Sequence, residues 1–191
     1  MPSNPPILLM DTNVWLDLYL PSRDREGVAL ALLREAHAAG AALAFASQAA
    51  LDVYQQVCVD NKRWLRAGAA LTEEWARAIK RHAWDCVNEM RELASPVPVD
   101  ASDFYLACKF RDLHDDLEDD LVLAACERAH ANYLVTNDRR LLAHAPVDAR
   151  TPSQMIELLH AGLAKGTPVE RDPKDDVRWL YQWLAAHHHN A

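Results

Sequence analysis

The chain has 191 residues, half of them apolar, with 28 acidic against 20 basic side chains and a formal net charge of −8. That is enough apolar material for one sizeable core, so one domain with an appendage is expected rather than two. The acidic balance repels polyanions and argues against a nonspecific nucleic-acid coat, though not against a nuclease whose carboxylates hold cations, and no apolar run approaches the ~20 residues that span a bilayer.

Ile7 to Met10, bounded by Pro6, reads as a buried strand ending at Asp11. Pro21-Ser22-Arg23-Asp24 makes a turn, and Val28, Leu30, Leu32, Leu33 and Ala36 supply the apolar face of a helix that stops near Gly40. Ala41 to Ala46 is a second strand. Ser47 is placed to cap a helix that carries Asp52, Leu51, Val53, Tyr54, Val57 and Cys58. Residues 71 to 94 form a further helix, with Trp75, Ile79, Ala83, Val87 and Met90 near every fourth position.

Pro96 and Pro98 forbid that helix to continue, and Val97 to Val99 is read as a short third strand. Helices are expected over 101 to 110 and over 118 to 130, the second opening in acids that suit a helix N-terminus. Tyr133 to Val135 repeats the design of the first strand and leads to Asp138. Val147 starts a last strand, and Thr151-Pro152 opens a helix through His160. Beyond Gly162 the character changes to a linker and a short amphipathic helix around Trp179 and Trp183, ending in His187 to His189 as a frayed tail. There are no internal repeats.

Cys58, Cys86, Cys108 and Cys126 fall in helical patterns without a C-x-x-C pair, so buried free thiols are expected. The N-terminus shows no charged segment followed by an apolar one, which favours a cytoplasmic protein.

Apolar strands of this kind suit a parallel sheet covered on both faces, and such sheets bind ligands at the carboxyl ends of their strands. Asp11 and Asp138 therefore arrive at one edge. Asp52 and the cluster Asp116, Asp119 and Asp120 stand at or near helix starts. Each of these acids singly has a plainer reading, as a helix cap, a solvated helix start or a turn residue. Asp17, Asp60, Asp112 and Asp115 are read as solvated surface.

Taken in order, these segments resemble the PIN-domain ribonucleases, particularly the VapC-type toxins of bacterial toxin–antitoxin pairs. Met10-Asp11-Thr12-Asn13-Val14-Trp15-Leu16-Asp17 is similar to the first motif of that family. Asp116-Leu117-Glu118-Asp119-Asp120-Leu121, with Ala124-Ala125-Cys126 behind it, resembles the third, and Tyr133 to Asp138 the fourth. Val147 to Pro152 looks like the closing strand and Thr-Pro helix start.

The resemblance covers residues 6 to 160 and implies a three-layer α/β/α domain around a mostly parallel sheet, over 1–162, with a helical extension over 163–191. It implies a metal-dependent endoribonuclease whose catalytic acids are Asp11, Asp52, Asp119 and Asp138. Mg²⁺ or Mn²⁺ would sit among Asp11, Asp116, Asp119 and Asp138, supported by Asn13 and Thr136. Spacing to Thr136 favours Asp119 within its cluster, Asp116 shares its face if the helix extends that far back, and Asp120 is the reserve.

The second motif departs from the family, which usually places a glutamate where this chain has Asp52, one methylene shorter. The partners implied are an RNA substrate, an antitoxin and a second copy of the chain, with no membrane. Arg139 and Arg140 stand beside Asp138 to meet a scissile strand. Lys62, Arg63 and Arg66, and likewise Arg77, Lys80 and Arg81, lie near Trp64 and Trp84. Phosphate contact with base stacking is one reading of these groups; surface charge over buried tryptophan is the favoured one.

Hydrolysis of an RNA phosphodiester needs an activated water in line with the leaving oxygen and positive charge on the nonbridging oxygens, both of which a divalent ion supplies. Two carboxylates ~4 Å apart repel by about 4 kcal/mol at an effective dielectric near 20, so gathered acids need a cation or protons. Two other classes compete. A phospho-receiver is suggested by Asp11, Asp52 and Lys109 but wants its acceptor at a strand end. An inactive PIN-like binding module is supported only by the departure at Asp52.

Overall fold

In the computed structural model, which describes residues 5–20, 22–24, 26–66, 72–114 and 116–165, strands and helices alternate along most of the chain. They run β1 (Ile7–Met10), α1 (Thr12–Tyr19), α2 (Val28–Ala38), β2 (Ala42–Ala46), α3 (Ala49–Arg66), α4 (Glu73–Leu93), β3 (Ser95–Val97) and α5 (Ala101–His114). Then follow α6 (Leu117–Arg128), β4 (Tyr133–Val135), α7 (Arg139–His144), β5 (Asp148–Arg150) and α8 (Pro152–Lys165). The five strands form one sheet in the order β3-β2-β1-β4-β5, and every pairing is parallel.

β1 is central, and its side chains alternate between two cores as strand geometry requires. Leu8 and Met10 enter a cluster with Trp15, Leu32, Phe45, Val53, Ile79, Met90 and Met155. Ile7 and Leu9 enter the opposite one, with Val122, Leu123, Ala125, Cys126 and Leu141. A strand buried on both faces has no polar position to offer, which is why β1 reads Ile-Leu-Leu-Met. Trp15 anchors the first core, with its ring 5.8 Å from Phe45 edge-on and 6.4 Å from Tyr19 in a stack. On the second face, α5 is fastened to α6 by Arg128, which donates from Nε and Nη2 to the two carboxylate oxygens of the buried Asp103, each at 2.9 Å.

Several expectations shift. The third strand lies at Ser95–Val97, two residues earlier than read, because Ser95 and Pro96 already register with Ala44 and Phe45. α5 continues to His114 and α8 to Lys165, each beyond the stretch its pattern suggested. Leu30 faces solvent at the margin of the stripe of α2 that buries Ala29, Leu32, Leu33 and Ala36, and Leu51 faces solvent on the side of α3 away from Ala49, Val53 and Val57. Cys108 is exposed, whereas the other three thiols are buried. No helix among the described residues is long and apolar enough to cross a membrane. The linker and amphipathic helix expected beyond residue 165, with Trp179, Trp183 and His187 to His189, lie outside the described residues, as do Pro21 and Asp115.

Candidate active site

The strand order reverses direction between β1 and β4, the switch point at which parallel sheets open a crevice outside their carboxyl ends. Asp11 follows β1 and Asp138 follows β4 by three residues, so both stand at this switch point. The order also separates the chain from a receiver, whose sheet runs 2-1-3-4-5. Asp52 lies in the first turn of α3 and Lys109 within α5, so the receiver reading is set aside.

Asp11 extends the ladder by donating its backbone N–H to Val135 O at 3.0 Å, and its side chain is 5% exposed. It occupies the N-cap position of α1, yet its carboxylate makes no capping hydrogen bond. The carboxylate is held from across the sheet instead: Oδ2 accepts from the Thr136 hydroxyl at 2.6 Å and from Asn13 Nδ2. Thr136 Oγ1 in turn accepts from Asn13 Nδ2 at 3.1 Å and from the Asp138 backbone N–H at 2.9 Å. Burial pushes the Asp11 carboxyl up to about 6; the Thr136 hydroxyl and the Thr12 amide pull it down, and the charges of Asp119 and Glu118 push it further up.

The other acids divide. Asp138 is the N-cap of α7, its Oδ1 accepting from the backbone N–H groups of Arg140 at 2.7 Å and Leu141 at 3.2 Å. Asp116 is the N-cap of α6 and accepts from Glu118 N at 3.0 Å. The helix therefore does not reach back through Asp116, and the shared helix face expected for Asp116 and Asp119 does not form. Asp119 is half-buried and electrostatically coupled to Asp11, whereas Asp120 is 2% exposed and turned into the domain. Asp52 is half-buried, with its carboxyl raised by loss of solvent.

Glu118, passed over in the sequence reading, joins these groups. Its carboxyl is raised by burial first and then by the charges of Asp52, Asp116 and Asp119. The signal was present in Asp116, a better cap than Glu118, since a cap at 116 places Glu118 at the second helical position. Asp17 and Asn137 were also missed. Asn137 donates its backbone N–H to Asn13 Oδ1 at 3.0 Å and its Nδ2 to Asp17 Oδ2 at 2.8 Å, and Asp17 Oδ1 accepts from Arg23 Nε at 2.8 Å. Asp17 is thus a partnered acid linking α1 to the loop after β4, where solvated surface was expected.

Among the described residues, no three His, Cys, Asp or Glu side chains are already drawn together as a cage for a metal ion. The acids whose charges act on one another here, Asp11, Asp119 and Glu118, are all carboxylates. Cys126 is fully buried, and burial first, then the Asp11 charge, keep its thiol protonated and out of the chemistry. Arg139 and Arg140 are exposed in the first turn of α7. Lys62 lies ten residues beyond Asp52 on α3, about 15 Å along its axis, so it is not at the acids, and the side chain of Arg66 lies outside the described residues. Trp84 and Trp75 are 57% and 51% exposed, which overturns the expectation of buried tryptophan under the second basic group; the Trp64 side chain is outside the described residues.

A family model described as PIN domain matches residues 8–140. No curated protein matches the chain. Among solved structures, a chain in the crystal structure of VapBC2 from Rickettsia felis bound to a DNA fragment from their promoter superposes with a TM-score of 0.52 at 15% identity. The match covers 76% of this chain and 98% of that chain, and it is a likeness of fold.

Proposed function

Because the chain belongs to the PIN-domain family, we propose that it is a divalent-metal-dependent endoribonuclease and the toxin of a toxin–antitoxin pair. The observation that carries this reading is Asp11: a buried carboxylate, destabilised by burial and by two neighbouring acids, and held in place without capping anything. A natural protein tolerates such a charge where something positive is meant to join it.

The residues fit a hard cation. Mg²⁺ prefers oxygen donors and takes only one or two carboxylates directly while keeping several waters, so a ready cage of three is not required. Asp11 and Asp119 would hold the ion, with Asp138, Asp116, Glu118 and Asp52 binding directly or orienting its waters. When bound, the ion supplies Lewis acidity at the phosphate and lowers the pKa of the attacking water. Thr136 and Asn13 fix the Asp11 oxygens, as partners of metal-binding carboxylates do. Arg139 and Arg140 meet the scissile strand from α7. An antitoxin and a second copy of the chain are the proposed protein partners.

Purified chain, free of antitoxin, is expected to cut single-stranded RNA with Mg²⁺ or Mn²⁺ and not in EDTA, and Asp11→Asn is expected to abolish cutting while leaving circular dichroism unchanged. No metal-dependent cutting across a broad RNA panel would replace this reading with a binding module.

A further inference from the structure

α4 segregates its charges by face. Arg77, Lys80, Arg81, Trp84, Asn88 and Arg91 recur at spacings of three, four and seven and therefore share one stripe, all of them exposed. Glu73 in the first turn is the acid of that stripe, while Glu74, Asp85, Glu89 and Glu92 fall on the adjoining one. No ion pair among the described residues engages any of the four cations. In a chain of net charge −8, this is a concentrated positive face.

Trp84 stands in the middle of it. Its ring meets Tyr54 of α3 edge-on, with centroids 5.6 Å apart at 60°. An exposed tryptophan leaves apolar surface in water and returns little in stability. Set among cations and propped by a second ring, it has the two parts of a single-strand platform, a π-face for a base and positive charge for the backbone.

We propose that this face of α4 binds single-stranded RNA, with a base stacked on Trp84 and phosphates met by Arg77, Lys80, Arg81 and Arg91. The inference rests on the nuclease reading for its substrate class and adds where that substrate is held. Tyr54 and Asp52 lie two residues apart on α3, on different sides of a helix about 10–12 Å across. A strand seated on Trp84 reaches the acids by crossing that one helix.

The test is anisotropy of a fluorescein-labelled uridine-rich RNA titrated with the full chain in EDTA, at several salt concentrations. Trp84→Ala is expected to weaken binding by about fivefold or more with little change in salt dependence, and Trp84→Phe to restore most of it. Replacing Arg77, Lys80 and Arg81 together with Gln is expected to flatten the dependence of log affinity on log salt by about 0.7 for each phosphate that is no longer neutralised. Unchanged affinity and slope in both variants, with native circular dichroism, would overturn the platform. So would equal binding of poly-glutamate that ignores Trp84, which would mark a face for acidic proteins.

The two readings fail separately. A wild-type chain that binds RNA through Trp84 but cuts none sinks the nuclease and keeps the platform. One that cuts RNA with the same KM in wild type and in both variants does the reverse.

Discussion

Thr136 donates its hydroxyl hydrogen to Asp11 Oδ2 across 125 residues of chain, at 2.6 Å, and in the same position receives the backbone N–H of Asp138. One oxygen thereby ties the carboxyl ends of β1 and β4 together at the point where the strand order reverses. Thr136→Val keeps the shape and removes both of these bonds, leaving the Asp138 amide without its acceptor and Asp11 Oδ2 held by Asn13 alone, at a cost of about 1–3 kcal/mol. Its urea midpoint is expected to fall and its Mn²⁺ affinity, by calorimetry, to drop about 10- to 100-fold, with Thr136→Ser close to wild type.

The raised Asp11 carboxyl makes the metal-free fold sensitive to pH. Its native value is about 6 against 3.8 for the free group, so the folded chain holds this proton more tightly than the unfolded one. Its contribution is fully present below pH 3.8 and is lost as pH rises through about 6, a loss of about 3 kcal/mol by neutrality. In EDTA, Asp11→Asn is expected to gain stability relative to wild type between pH 4 and pH 7 on this account. A difference in urea midpoints that stays flat over that window contradicts it.

At Asp138 two duties share one carboxylate and can be separated. Asp138→Asn keeps an oxygen for the Arg140 and Leu141 amides and should leave the thermal midpoint nearly unchanged, while Asp138→Ala should cost about 1 kcal/mol as a lost cap. If the carboxylate also serves a metal ion, both variants lose RNA cleavage. Full activity in Asp138→Asn would leave Asp138 as a cap alone.

Arg128 holds α6, and with it the acids of its first turn, against α5. Arg128→Ala leaves Asp103 as a buried charge without its bidentate partner, and a loss of about 3 kcal/mol or more is expected in chemical denaturation. The pair of changes Arg128→Leu with Asp103→Leu should recover much of that loss, since both charges leave the interior together.

Much of the architecture was legible in sequence because it depends on short-range patterns. The unbroken apolar run before Asp11 and its repeat before Asp138 require strands buried on both faces, and hence a parallel sheet with helices on either side. Helix ends were less legible. α5 runs to His114 and α8 to Lys165, past the stretches their apolar patterns mark, since helix ends follow local capping and fraying that periodicity does not record.

The individual acids were legible only as candidates. By themselves the residues allow Asp11, Asp116 and Asp138 to be caps, and nothing local distinguishes them. In the folded chain Asp116 and Asp138 cap their helices and Asp11 does not, because Thr136 and Asn13 hold its carboxylate elsewhere. Asp17 and Asn137 have a like explanation, since they partner each other across 120 residues, whereas Glu118 had a local signal in the cap at Asp116. Its neighbours in sequence suggest a buried Trp84, and only the packing of α3 on α4 sets its ring against Tyr54 and leaves it open to water. What the sequence determined by itself is the alternation of elements, the sheet type and a short roster of acids, since periodicity and capping act within a few residues. Which carboxylate is held away from its helix and which ring stands on the exposed face of α4 was decided by the Asp11–Thr136 and Tyr54–Trp84 contacts, 125 and 30 residues apart, and these exist only once the sheet and its two cores have closed.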